Sequence, residues 1–202
     1  MDWSIAHSLN SFMFHHDGLE DPLLAYVLAS EALYFAMLLI VCAFARHARW
    51  AGLRATAVHA GLSAGLGLLV VKIITEFTYR ARPFVAHPHQ VHLFASHPPD
   101  SSFPSDHATA SIAIATAILL RRRWGWGAVA MVFAVILCFG RVALGFHYPT
   151  DVIAGAAIGA LSALLLNVGP VRAAVDALSD RAGGLWDRAT DVVVRRVVPG
   201  ER

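Results

Sequence analysis

Apolar positions in this chain gather into five blocks joined by short polar connections. The blocks fall at about 22–45, 54–77, 107–121, 125–143 and 149–167, and charge is sparse inside them. A hydrocarbon core about 30 Å thick takes roughly 20 apolar residues to cross as a helix. The blocks therefore predict membrane-spanning helices. The block 107–121 is the shortest, so its helix must extend into a loop or sit tilted. Ahead of the first block, Trp3, Ile5, Leu9, Phe12 and Met13 predict one face of a short amphipathic helix within residues 1–21. Behind the last, residues 171–197 mix Asp176, Asp180, Asp187 and Asp191 with arginines and a periodic Val, Leu and Trp set. That pattern predicts either a surface helix at the membrane interface or a partly disordered tail. The expected fold class is all-α: a polytopic membrane helical bundle of about five transmembrane helices with amphipathic helices at both ends. We expect one domain over 1–202, its core at 22–167 and a cytoplasmic tail at 171–202.

Composition agrees with the pattern. The chain of 202 residues is 57% hydrophobic and 15% charged, and its mean hydropathy is +0.57. This is too apolar for an ordinary soluble domain. The net charge of +2 gives no reason to expect nucleic acid. Cys42 and Cys138 lie inside apolar blocks and predict buried thiols with neither a disulfide nor a metal spacing. No signal-peptide pattern opens the sequence.

The connections differ in charge. Arg46, Arg49 and Arg54 fill the first, Arg121, Arg122 and Arg123 the third, and Arg172 and Arg181 follow the last block. By the positive-inside rule these face the cytoplasm. The second connection (about 78–106), the fourth (about 144–148) and the N-terminus then face outward. Arg80, Arg82 and Arg141 run against this bias, which suggests a bound anion on the outward side.

Candidate chemistry sits at the borders of those outward connections. Ser105-Asp106-His107 follows Pro104 and opens the third block, with Ser105 a good N-cap. A helix N-terminus offers free N–H groups and partial positive charge to a phosphate oxygen. His147 and Asp151 are four apart at the start of the fifth block, where Pro149 suits the first turn. That spacing allows Asp151 to hold one ring nitrogen of His147 and leave the other free to attack; it equally allows a structural hydrogen bond at a helix start. Arg141 lies near the outer end of the fourth block, where an arginine is rarely idle. Arg82, before Pro83, could grip phosphate with two prongs.

Taken in order, Arg-Pro, Pro-Ser-x-His and Arg-x5-His-x3-Asp resemble the type-2 phosphatidic acid phosphatase superfamily. Within it, Ser102-Phe103-Pro104-Ser105-Asp106-His107 and Arg82-Pro83-Phe84 look like the bacterial undecaprenyl-diphosphatases associated with bacitracin resistance. The resemblance implies a multi-pass enzyme of the bacterial cytoplasmic membrane with its site facing the periplasm or cell exterior. It implies hydrolysis of undecaprenyl diphosphate to undecaprenyl phosphate and inorganic phosphate through a phosphohistidine, recycling the lipid carrier of cell-wall precursors. Phosphatidylglycerophosphate, phosphatidate and shorter prenyl diphosphates are alternative substrates, and a non-catalytic lipid-phosphate transporter is an alternative function. His147 would be the nucleophile, Asp151 its orienting partner, and His107 the general acid and then base. Arg82, Arg141, Ser105 and the backbone near Asp106 would hold phosphoryl oxygens. No metal or other cofactor is required by that scheme.

Three positions depart from the family pattern. A basic residue usually lies six before Arg-Pro, but here Thr75 fills that slot. Lys72, one helical turn deeper, and Arg80 are the candidate replacements, and Lys72 is also spaced to pair with Glu76. Asp106 replaces a common glycine, as in the undecaprenyl-diphosphatase subgroup, and Gly140 replaces a serine before Arg141. Other features have simpler expectations. His87, His89, His92 and His97 crowd the outward loop without metal-ligand spacing and predict a polar cap over the site or a headgroup contact. Glu31 is expected to hydrogen-bond inside the bundle or to line a lipid path. Trp124 and Trp126 read as interfacial anchors. Gly155 and Gly159, like Gly61, Gly65 and Gly67, read as helix-packing positions.

Overall fold

In the computed structural model, residues 1–16, 18–45 and 52–197 are described. Arg46 and Arg49, part of the charge pattern above, lie outside the described residues, as does the side chain of Asp191. Among the described residues all regular structure is helical. The elements are α1 (Asp2–Phe14), α2 (Glu20–Phe44), α3 (Leu53–Phe77), α4 (Pro83–Ala86), α5 (Asp106–Leu120), α6 (Trp124–Ala143), α7 (Pro149–Leu166) and α8 (Gly169–Val197). Four of them, α2, α3, α6 and α7, are long and apolar enough to cross a membrane. The chain is a multi-pass membrane protein.

The third apolar block becomes α5, and it is only 15 residues long, about 22 Å at 1.5 Å per residue. It can be short because it is the central helix rather than a lipid-facing one. Ala108, Ala113, Ala115 and Ala117 are fully buried, and α5 packs on α7, α3 and α6. Small side chains allow that approach. A Cβ placed on Gly155 or Gly159 of α7 would run into the carbonyl oxygens of Ser105 and Thr109. One on Gly67 of α3 would come within 2.7 Å of the Thr109 methyl. The packing expectation therefore holds for Gly67, Gly155 and Gly159. It fails for Gly65, which has nothing within 4 Å, and for Gly61, whose nearest neighbour is 3.8 Å away.

The helix ends sort to two ends of the bundle. Arg54 at the start of α3 and Arg121 at the end of α5 pair with Asp187 (2.8 Å) and Asp176 (2.5 Å) of α8. The tail is thus a helix laid against the end where the expected cytoplasmic arginines gather. At the other end, α1 lies over α6 and α7. Its inward stripe is Ala6, Asn10 and Met13, with Trp3 and Leu9 packed beside it. Ile5 and Phe12, expected on that face, point outward instead. Asn10 explains the change of face. Its amide donates to the carbonyls of Ala143 (3.0 Å) and His92 (2.9 Å), drawing a polar position inward.

Candidate active site

The site forms where the loop after α6 folds back on itself. Gly145 adopts φ +83°, a left-handed turn that favours glycine. The N–H groups of Phe146 and His147 then both donate to the Arg141 carbonyl, at 3.1 and 3.0 Å. Arg141 and His147 are thereby fixed side by side, both buried. Pro149 starts α7 immediately afterwards.

His147 Nδ1 lies 2.8 Å from the Ser102 carbonyl, which can only accept, so Nδ1 carries the hydrogen. Nε2 is left with a lone pair. Two guanidinium groups face it, Nη1 of Arg82 at 3.1 Å and Nη2 of Arg141 at 3.2 Å. Burial first, and then these two cations, hold the His147 imidazole down to a pKa of about 4, against an opposing pull from Asp151. It is therefore a neutral ring at neutral pH. Arg82 is anchored by Asp100 (2.8 Å) and the Phe146 carbonyl (3.0 Å). Arg141 also donates to His97 Nε2 at 3.0 Å, and its Nε is buried without a partner among the described residues. Burial, with Arg82 and Arg141 nearby, keeps His97 below the usual histidine range and so able to accept.

Asp151 does not hold His147 as its spacing suggests. Its Oδ2 is 3.8 Å from Nδ1, beyond hydrogen-bond reach. It accepts from the Tyr148 N–H (2.9 Å), as the third residue of a capping box, and from the Ser102 hydroxyl (2.5 Å). Asp151 thus acts on His147 through Ser102, whose carbonyl receives the ring hydrogen. Its Oδ1 accepts from Arg80 at 2.6 Å.

That last contact corrects another expectation. Arg80 is shared between Asp151 and Asp2 (2.5 Å) and lies 4.0 Å over the Tyr148 ring. It faces carboxylates, not the space beside His147 Nε2. Lys72 is 2.7 Å from Glu76 and its side chain is 74% exposed, so the structure does not bring it into the site. Ser105 is fully buried and its hydroxyl caps α5 by accepting from the Ala108 N–H (3.4 Å). Asp106 Oδ1 accepts from the backbone N–H and Nδ1 of His107, at 2.8 and 2.9 Å. Its carboxylate therefore orients His107. His107 Nε2 is 3.1 Å from Glu31 Oε1 of α2. Glu31, Asp106 and His107 are also the one group of such side chains, among the described residues, whose ligand atoms lie within 4.8 Å of one another. The His107–Asp106 hydrogen bond and the His107–Glu31 ion-pair contact account for that closeness.

The loop histidines divide. His97 belongs to the site. His87 stacks on Trp3 at 3.7 Å and His92 on Phe14 at 3.5 Å, pinning α1 to the loop. Sequence reasoning missed the roles of Ser102, Asp100 and Asp2. They lie in irregular loop or at a helix start, where no periodicity marks a partner. From Glu31, Asp106 and His107 an apolar groove of about 730 Å³ runs between α2, α3 and α5 as far as Cys42, with Gly61 and Gly65 on its wall.

Known proteins resemble this chain in sequence and in fold. The family profile of the PAP2 superfamily matches residues 56–173. The chain belongs to the PAP2 superfamily. The undecaprenyl-diphosphatase BcrC of Bacillus subtilis (strain 168) is 32% identical over 154 residues, 76% of this chain and 76% of that one. A lipid A 1-phosphatase of Rhizobium johnstonii is 38% identical over 104 residues, 50% of this chain and 42% of that one. The crystal structure of Aquifex aeolicus LpxE has the same fold, with a TM-score of 0.67 at 23% identity, covering 81% of this chain and 93% of that chain. The stretch matched to the PAP2 superfamily contains Arg82, Ser102, His107, Arg141, His147 and Asp151. Asp2 and Glu31 lie outside it.

Proposed function

We propose that the chain, a lipid phosphatase of the PAP2 superfamily, removes the terminal phosphate of undecaprenyl diphosphate to give undecaprenyl phosphate and inorganic phosphate. The observation that carries this reading is the His147 Nε2 lone pair facing two buried guanidinium groups. A phosphoryl group held by Arg82 and Arg141 would sit directly in front of a neutral nucleophile. His147 Nε2 attacks the terminal phosphorus and the bond to the bridging oxygen breaks. That oxygen takes the proton from His107 Nε2, and the phosphohistidine is then hydrolysed by a water that His107 activates. Arg82 and Arg141 offset charge on the transferring group, and positioning supplies most of the rest, as in phosphoryl transfer generally. Asp151 steadies the nucleophile through Ser102. No step in this scheme draws on a metal or cofactor.

The apolar groove supports a lipid substrate, since it starts at His107, where the leaving group departs, and is open along exposed Phe35 and Leu39. The likeness to BcrC over most of both chains supports the prenyl diphosphate. We read residues 1–202 as one membrane phosphatase domain of the bacterial cytoplasmic membrane, with the site on the outward side. A second reading, a lipid monophosphate such as phosphatidate, is favoured by one observation: the Glu31 carboxylate stands beside His107, where a diphosphate would bring further negative charge.

The test is phosphate release from undecaprenyl diphosphate by the purified full chain in detergent with excess EDTA, beside His147→Ala. Release by wild type and none above background by the variant is expected. Release that disappears with EDTA would remove the metal-free mechanism. Turnover of phosphatidate in place of the diphosphate would keep the mechanism and replace the substrate.

A further inference from the structure

Glu31 is the only acidic residue between Asp21 and the end of α2. It lies 11 residues into the helix, about 16 Å from its start. A carboxylate at such depth is a marker of function rather than of packing. Its side chain is 75% exposed along the groove, so it fills no gap in the core.

Its position relative to His107 is specific. Asp106 takes the Nδ1 hydrogen of His107, leaving Nε2 as the nitrogen that meets the leaving-group oxygen. Glu31 Oε1 is 3.1 Å from that nitrogen and therefore occupies the leaving group's place. Glu31, Asp106 and His107 together line the head of the apolar groove that the leaving group would enter.

We propose that Glu31 is a specificity-determining residue that reads the charge of the leaving group. The inference rests on the reading that His147 attacks and His107 protonates. When a monoester is cleaved, the leaving oxygen takes the His107 proton and departs as an uncharged alcohol. When a diphosphate is cleaved, the departing group carries an anionic phosphate into the space Glu31 holds. Like charges so placed repel, in a setting that screens poorly. The carboxylate thus lowers turnover of diphosphates relative to monophosphates, and a diphosphate binds only with Glu31 turned off His107 toward the open groove.

The test compares undecaprenyl diphosphate with undecaprenyl phosphate, which share a tail and differ only in the leaving group. The ratio of kcat/KM, diphosphate over monophosphate, is measured for wild type, Glu31→Gln and Glu31→Asp as full chains in the same detergent. Glu31→Gln should raise the ratio by about tenfold, the effect of a modest like-charge term, while Glu31→Asp stays within about twofold of wild type. Should wild type turn over the diphosphate alone, its kcat/KM is read in the same way. A ratio that is unchanged or lower in Glu31→Gln overturns the proposal, because a residue that merely supports His107 would slow both substrates alike. His147→Ala in the same assay keeps the two readings apart: if it retains turnover, the nucleophile assignment fails irrespective of Glu31.

Discussion

In the proposed mechanism His147 owes its readiness to attack to what surrounds it. Burial and two arginines keep its ring neutral down to a pKa of about 4, and the Ser102 carbonyl chooses which nitrogen keeps the hydrogen. The acid limb of phosphohistidine formation, measured in a single turnover, should therefore fall near pH 4 and not near the ordinary histidine value of 6.5. Stability follows from the same shift. The folded pKa lies below the unfolded one, so the unfolded chain binds the extra proton between these values. The contribution is complete above pH 6.5 and declines as pH falls toward 4. An acid limb at 6.5 in the formation step would show that the nucleophile titrates as if exposed. At this scale the sequence was partly legible. His107, His147, Arg82 and Arg141 stood out because they border the outward connections and their order and spacing resemble a known family. Ser102 did not, because a main-chain carbonyl that orients a ring leaves no mark on residue type. Asp151 drew notice for a spacing that fits either a hold on the His147 ring or a structural bond at a helix start, and the structure shows the second, a capping box.

Helices place these residues, and their spacing depends on glycine. The α5–α7 contact brings the His107 turn against the start of α7 because Gly155 and Gly159 let carbonyl oxygens of α5 come close. Gly155→Ala would force Ser105 away, and overpacking of this kind costs roughly 1–3 kcal/mol. It should lower the unfolding temperature in detergent together with kcat. A variant that melts like wild type would mean the interface relaxes without strain. The spans were legible from hydropathy to within a few residues, since lipid imposes length and apolarity on every segment it touches. The central helix escapes that rule. α5 is shielded by its neighbours, so lipid does not dictate its length. The inward face of α1 includes Trp3, Leu9 and Met13 as expected but not Ile5 and Phe12, because Asn10, a polar residue, turns inward to satisfy two carbonyls.

Across the whole molecule, the first helix is tied to the chemistry at the far end of the sequence. Asp2 accepts from Arg80 and from the Thr150 N–H and hydroxyl, and Arg80 in turn holds Asp151. Charge-assisted bonds of this type contribute about 1.5–3 kcal/mol each. If about 0.7–1.4 kcal/mol of this reaches Asp151 through Arg80, Asp2→Ala should reduce kcat about 3- to 10-fold with little change in KM. Equal kcat for variant and wild type would show that Arg80 needs only Asp151. No sequence signal linked position 2 to position 151, because nothing local encodes a contact made across the fold. The apolar groove has a different consequence. It is open along exposed Phe35 and Leu39, so a lipid whose tail lies there reaches His107 without leaving its own two-dimensional phase. What such a catalyst senses is the mole fraction of substrate among its neighbouring lipids, not an amount per volume of water. Empty micelles added to a fixed quantity of protein and substrate act on it as dilution.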